Sequence, residues 1–209
     1  MSYEISLKMA WDELAALATE SEYHVVFLSD RHLVRLSEKS ILSEPSGNSA
    51  DEVSSVLVLH YLIGILKCGF HPRGEWISFK ELKGGNVFWP ALSRSTIEPL
   101  AAYLQQNTPQ RTRQNTPQSI KQNTPHNSLG LPGTVESPET RWAAKSMPDG
   151  SLTLDVAAFP DIPVRVIFWV SDDDLPCDAT MLFDRGLAEI YCTEDIAVLL
   201  MRVAEKIMR

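Results

Sequence analysis

Asp172, Asp173, Asp174, Asp178 and Asp184 all fall within 13 residues. Carboxylates are hard oxygen donors. Gathered at strand ends, Asp174, Asp178 and Asp184 could hold a divalent cation and serve a metal-dependent hydrolase or transferase. The competing explanation is a solvated acidic turn, since the spacing does not follow an EF-hand loop and no histidine lies close by in sequence. Nucleophilic chemistry has less to build on. Cys177 and Cys192 have no local histidine, and the four histidines ahead of the Gln-Asn-Thr-Pro repeats lie between His24 and His71. Cys68, closing an apolar run, has the character of a small buried hydrophobe.

A second set of candidates suits binding rather than turnover. In the segment 71–85, HPRGEWISFKELKGG, Trp76 offers a rigid contact surface and Ser78 a hydroxyl, while Gly84 and Gly85 let main-chain amides approach a ligand. The two glycines equally suit a tight turn. Neither GxGxxG nor GxxxxGK[ST] is present, so this is not a phosphate loop. His60, inside an apolar stretch, is either a hydrogen-bonded core histidine or a contact at the edge of a ligand site. Together His60, Trp76, Ser78, Gly84 and Gly85 form the candidate lining of a cleft that faces the Asp174 and Asp184 turns.

The elements that must position these groups follow from periodicity. Leu7, Trp11, Leu14 and Ala18 make 6–19 an amphipathic helix. Tyr23 to Leu28 is rich in strand formers, and a turn at Ser29 to Arg31 leads to a less regular strand from His32 to Ser37, together a hairpin. Glu44 to Ala50 has loop composition. Asp51 caps a deeply buried helix from Val53 to Leu66 that ends before Gly69. Trp76 to Phe79 is a short strand. Beyond Pro90, Ile97, Leu100, Ala101 and Leu104 mark a helical stripe with Pro99 in its first turn. Leu152, Leu154 and Val156 alternate as a strand. Val164 to Val170 follows as a central strand, apolar on both faces and so expected to be covered on both sides. Ala179 to Phe183 and Leu187 to Tyr191 continue as strands. Thr193 caps a final helix whose stripe is Ile196, Leu199, Leu200, Val203 and Ile207.

Composition bounds the rest. In 209 residues, 44% hydrophobic content suffices for one sizeable core. With 19 basic against 27 acidic residues and a net charge of −8, neither nucleic acid nor an anionic membrane is expected as a partner. Three cysteines without a CxxC pair support neither a disulfide framework nor a zinc ribbon. The N-terminal residues lack the pattern of a signal peptide and no run approaches a membrane span, so a cytoplasmic protein is expected. From Gln105 the character changes. QNTPQRTR, QNTPQSIK and QNTPHNSL succeed one another every eight residues, and polar sequence continues to about Arg141. Such a stretch buries too little apolar surface to offset its ordering entropy and is expected to be a disordered insert.

The segments HYLIGILKCG, GEWISFKELKGG and FPDIPVRVIFWV through LFD, in that order, resemble a family classed only as a domain of unknown function and found in strict anaerobes and methanogens. The resemblance spans most of 50–104 and 151–205. It implies an accessory role in corrinoid and iron–sulfur metabolism, some relatives carrying a cysteine-rich cluster domain that this chain lacks. The expected architecture is a single α+β domain with a mixed or mostly antiparallel sheet and about four helices. Residues 1–104 and 142–209 build it, and 105–141 interrupt it. The function favoured is a noncatalytic binding module for a small molecule or protein partner.

Overall fold

A computed structural model describes residues 3–108, 144–149, 151–171 and 175–209. Its N-terminal helix α1 (Glu4–Leu17) buries Ala10, Trp11 and Leu14. A three-stranded antiparallel sheet follows, β1 (Glu22–Phe27), β2 (Asp30–Arg35) and β3 (Ser40–Glu44), in that spatial order. The turn is tighter than the sequence suggests. Leu28 and Ser29, with φ of 49° and 72°, form a two-residue loop of the kind whose twist matches a hairpin, and Asp30 is already in the strand. This register turns His32 and Val34 inward and leaves Leu33 half-buried on the outer face. Strand β3 is unexpected, because only its Ile41 is buried and a short edge strand carries little apolar pattern.

Helix α2 (Glu52–Cys68) starts where Asp51 accepts hydrogen bonds from the Val53 and Ser54 amides, and it ends at Gly69 with φ 70°. Strand β4 (Trp76–Ser78) precedes α3 (Gly85–Leu92), which begins ahead of Pro90. A π-helical turn, Ser93–Ile97, joins α3 to α4 (Glu98–Asn107), so 85–107 is one helical run and the described residues hold four such runs. The widening has a local cause. Pro99 has no amide to donate, and just before it the Glu98 amide reaches back to Ser93 O. Gln105 to Asn107, expected to open the insert, belong to α4, and Gln105 is held by two hydrogen bonds with Ser171. The rest of the expected insert, through 141, lies outside the described residues, as do 142 and 143.

After a two-residue strand β5 (Lys145–Ser146) come β6 (Leu152–Phe159), β7 (Ile162–Trp169) and β8 (Asp178–Asp184). The five-stranded antiparallel sheet runs β4-β8-β7-β6-β5, so β7 is its middle strand. Among the described residues one face of β7 is covered and the other is open, which corrects the expectation of two covered faces. Val164, Val166 and Phe168 are fully buried, whereas Arg165 and Ile167 are half-buried and Trp169 is 36% exposed. The open face accommodates Arg165 because Asp155, directly across the β6 ladder, accepts two hydrogen bonds from its guanidinium at 2.7 and 2.8 Å.

The extended pattern expected for Leu187 to Tyr191 is instead a 3₁₀ turn, Arg185–Glu189. Asp184 accepts from the Gly186 amide at 2.8 Å, and Gly186 lies so close to His71 O that a Cβ would sit 2.4 Å from it, so the chain coils there. The last helix, α5 (Thr193–Met208), buries Ile196, Leu199, Leu200, Val203 and Ile207 as its stripe demands. Thr193 is its first residue rather than its cap, and its hydroxyl donates to Lys83 O at 3.0 Å. Both sheets and the helices share one hydrophobic core. Phe159 joins its parts, stacked on Tyr61 of α2 at 4.0 Å and 5.0 Å from Phe27 of β1. Among the described residues no helix is long and apolar enough to cross a membrane.

Candidate functional site

The segment GEWISFKELKGG builds two walls of one cleft. Strand β4 pairs with the C-terminal half of β8, Trp76 opposite Asp184 and Ser78 opposite Leu182, and then stops. Glu81 ends it. Its carboxylate accepts from the Ser78 amide at 2.8 Å and the Ser78 hydroxyl at 3.0 Å, turning the chain into a 3₁₀ turn at Phe79–Glu81. These bonds, the amide first, hold the Glu81 carboxyl below the usual carboxylate range. Gly84 then adopts φ 81°, in the left-handed region, and Gly85 packs so tightly that a Cβ would lie 2.0 Å from Phe79 O. The glycines thus start α3 at a fixed angle. That angle brings Trp89 under Lys80, whose Nζ lies 4.3 Å from the ring centroid.

The cleft between these groups and β8 has a volume of about 420 Å³. Its helical wall is Ser93, Ile97 and Ala101, and its sheet wall is Cys177 to Thr180. Among the described residues no strand pairs with this edge of β8 beyond β4. The Arg185 amide donates to Glu75 O at 2.9 Å, so by the alternation of an antiparallel ladder the main-chain groups of Phe183, Met181 and Ala179 point to the same side. Strand β4 engages Phe183 and goes no further. Along the remaining edge the Ala179 amide is held by the Asp178 carboxylate at 2.8 Å.

A family model described as Domain of unknown function (DUF3786) matches residues 7–115 and 140–206. The chain belongs to this family. No curated protein and no solved structure matches it. Both matched blocks of the DUF3786 chain contribute to the cleft, Ser78 through Ala102 from the first and Cys177 through Thr180 from the second.

Of the residues singled out in sequence, the DUF3786 fold brings Ser78 and Asp178 into this cleft. Gly84 and Gly85 shape it from behind. Trp76 stands on the open sheet face beside it, with the Arg165 guanidinium 4.2 Å above its ring. His60 is elsewhere, on α2, its Nδ1 2.8 Å from Asp195 in the first turn of α5. Asp174 lies outside the described residues. Asp178 and Asp184 occupy opposite ends of β8, about 20 Å apart at strand rise, too far to ligate one cation. Asp184 is committed to the fold, accepting from the amides of Arg73 at 2.8 Å, Gly74 at 2.7 Å and Gly186 at 2.8 Å. Among the described residues no group of three or more His, Cys, Asp or Glu side chains could hold a metal ion. Burial pushes the Cys192 thiol up to about 11, so it stays protonated at neutral pH.

Sequence reasoning missed Lys80, Trp89, Ile97 and Thr180. Lys80 and Trp89 are brought together across the start of a helix, and no periodic pattern reports such a pairing. The usable signal was the Ser78 and Glu81 spacing, a capping box that marks where β4 must end.

Proposed function

We propose that the protein is a noncatalytic binding module that takes an extended polypeptide segment of a partner along the open edge of β8. The observation that carries this proposal is the edge itself, which among the described residues has no strand partner beyond Ser78 and is faced by a helical wall. An extended chain laid there adds a strand to the sheet. Main-chain hydrogen bonds to Met181 and to Ala179, whose amide exchanges the Asp178 carboxylate for the incoming strand, supply affinity, and alternate side chains of the segment enter the cleft toward Ile97, Ala101 and Trp89. Lys80 on one wall and Asp178 on the other favour a segment with charges of both signs. Among the described residues lining the cleft Cys177 is the one thiol and there is no histidine, which supports binding over turnover. The family resemblance adds the setting proposed with it, an accessory role in anaerobic corrinoid or iron–sulfur metabolism.

The test is selection from a displayed peptide library. Peptides are to be enriched on the wild type and counter-screened on Ala179→Pro, which removes an edge amide while leaving the β7 ladder intact. Binding to the wild type, lost in the proline variant at an unchanged unfolding midpoint, is expected. Peptides that bind both forms equally, or no enrichment at all, would overturn strand addition.

A further inference from the structure

A second cleft, of about 510 Å³, shares no lining residue with the first. It lies between the three-stranded sheet, the start of α2 and the last turns of α5, with His32, Ser43, Asp51, Arg202 and Lys206 on its walls. His32 is anomalous. It sits in the inward-facing row between Val25 and Ser43, is only 5% exposed, and its Nδ1 has no hydrogen-bond partner among the described residues. Arg202 Nε, on the facing wall, is likewise buried and without a partner. A buried donor or acceptor left unpaired costs roughly 1 to 3 kcal/mol, so His32 and Arg202, both on the lining of one cleft, each stand to gain from a polar guest.

The charges in the cleft specify the guest. Arg202 pairs with Asp51 and with Glu205, Lys206 lies 3.3 Å from Asp30, and Glu44 is 3.3 Å from His24. Acids slightly outnumber bases along the lining, which disfavours a simple anion, and no carboxylate cluster among the described residues suits a metal ion. Ion pairs with one exposed partner contribute little, about 0 to 1 kcal/mol, so a ligand carrying both charges can exchange with them at small cost. Burial holds the His32 imidazole below its ordinary pKa, leaving it neutral near pH 7 with one donor and one acceptor nitrogen.

We propose that this cleft binds a small zwitterion of the amino-acid or short-peptide class. Its carboxylate is received by Lys206 and the Arg202 guanidinium, its ammonium by Asp30 and Glu44, and a further polar group by His32. This site is independent of strand addition at β8, and either can fail alone.

Calorimetric titration and thermal unfolding with the twenty protein amino acids, glycylglycine and alanylalanine test it, with inorganic phosphate as the anion control. One-site binding by at least one zwitterion and none by phosphate is expected. His32→Phe should leave the ligand-free midpoint unchanged or raised, because an orphaned polar group is removed, yet weaken binding by about tenfold or more. Lys206→Gln, at the cleft wall, should weaken binding similarly in a folded protein and decides the matter if His32→Phe does not fold. Phosphate binding in place of zwitterions, no binding by any probe, or affinity indifferent to both variants would overturn the proposal.

Discussion

Asp184 sits in an acidic stretch of sequence yet is 7% exposed, and three main-chain amides converge on its carboxylate. Burial alone would raise its pKa; the hydrogen bonds from Arg73, Gly186 and Gly74 outweigh that and hold it below the ordinary carboxylate value. The consequence for stability has a definite sign. A depressed folded-state pKa contributes stability that is complete above the unfolded value, near 4, and is lost as pH falls through the folded value. Asp184→Ala should cost about 2 to 4 kcal/mol at neutral pH, since it strands three amides at once. Urea unfolding between pH 7 and pH 2 checks both statements. Asp184→Asn should show a shallower loss of stability below pH 4 than the wild type. A cost under about 1 kcal/mol for the alanine variant would mean that water replaces the carboxylate without penalty.

Strand β7 separates two kinds of neighbour within one element. Phe168 is fully buried at the middle of the five-stranded sheet, while Trp169, one residue on, faces outward. Phe168→Ala should therefore cost about 3 to 5 kcal/mol, through lost transfer energy and an unfilled cavity. Trp169→Ala should cost under about 1 kcal/mol, as open-face truncations do. Denaturant unfolding of the two variants checks the difference. Equal losses would show that the second face of the sheet is covered, as apolar patterning alone had suggested. Element ends were less legible for a related reason. The last strand in sequence became a 3₁₀ turn because Gly186 must pass His71 O, a contact from more than a hundred residues away.

At the scale of the whole molecule, the hydrophobic core closes from residues of the two blocks flanking the Gln-Asn-Thr-Pro repeats, and the DUF3786 match is itself interrupted between 115 and 140. Replacing 109–143 by a short Gly/Ser linker should leave a cooperative unfolding transition, with a midpoint within about 5 °C of the wild type, because the length of a connection changes closure entropy only slowly. Differential scanning calorimetry checks it. Loss of the cooperative transition would mean that the stretch contributes to the core.

The α+β class, the middle strand, the buried Asp51-capped helix and the final amphipathic helix were all legible in sequence. Each is set by local pattern: alternation for Val164 to Phe168, an Asp cap and Gly stop for α2, a 3.6-residue stripe for α5. Tertiary structure alone decided which face of β7 stays open, where β4 ends against β8, and that His32 rather than Leu33 points inward. The last turns on the Leu28 and Ser29 loop, since a shift of one residue in a hairpin exchanges its two faces. The same holds for the aspartates. Their proximity in sequence is real, but an extended strand carries Asp178 and Asp184 to opposite ends of the sheet, and only the fold shows that one edges a cleft while the other pins a loop.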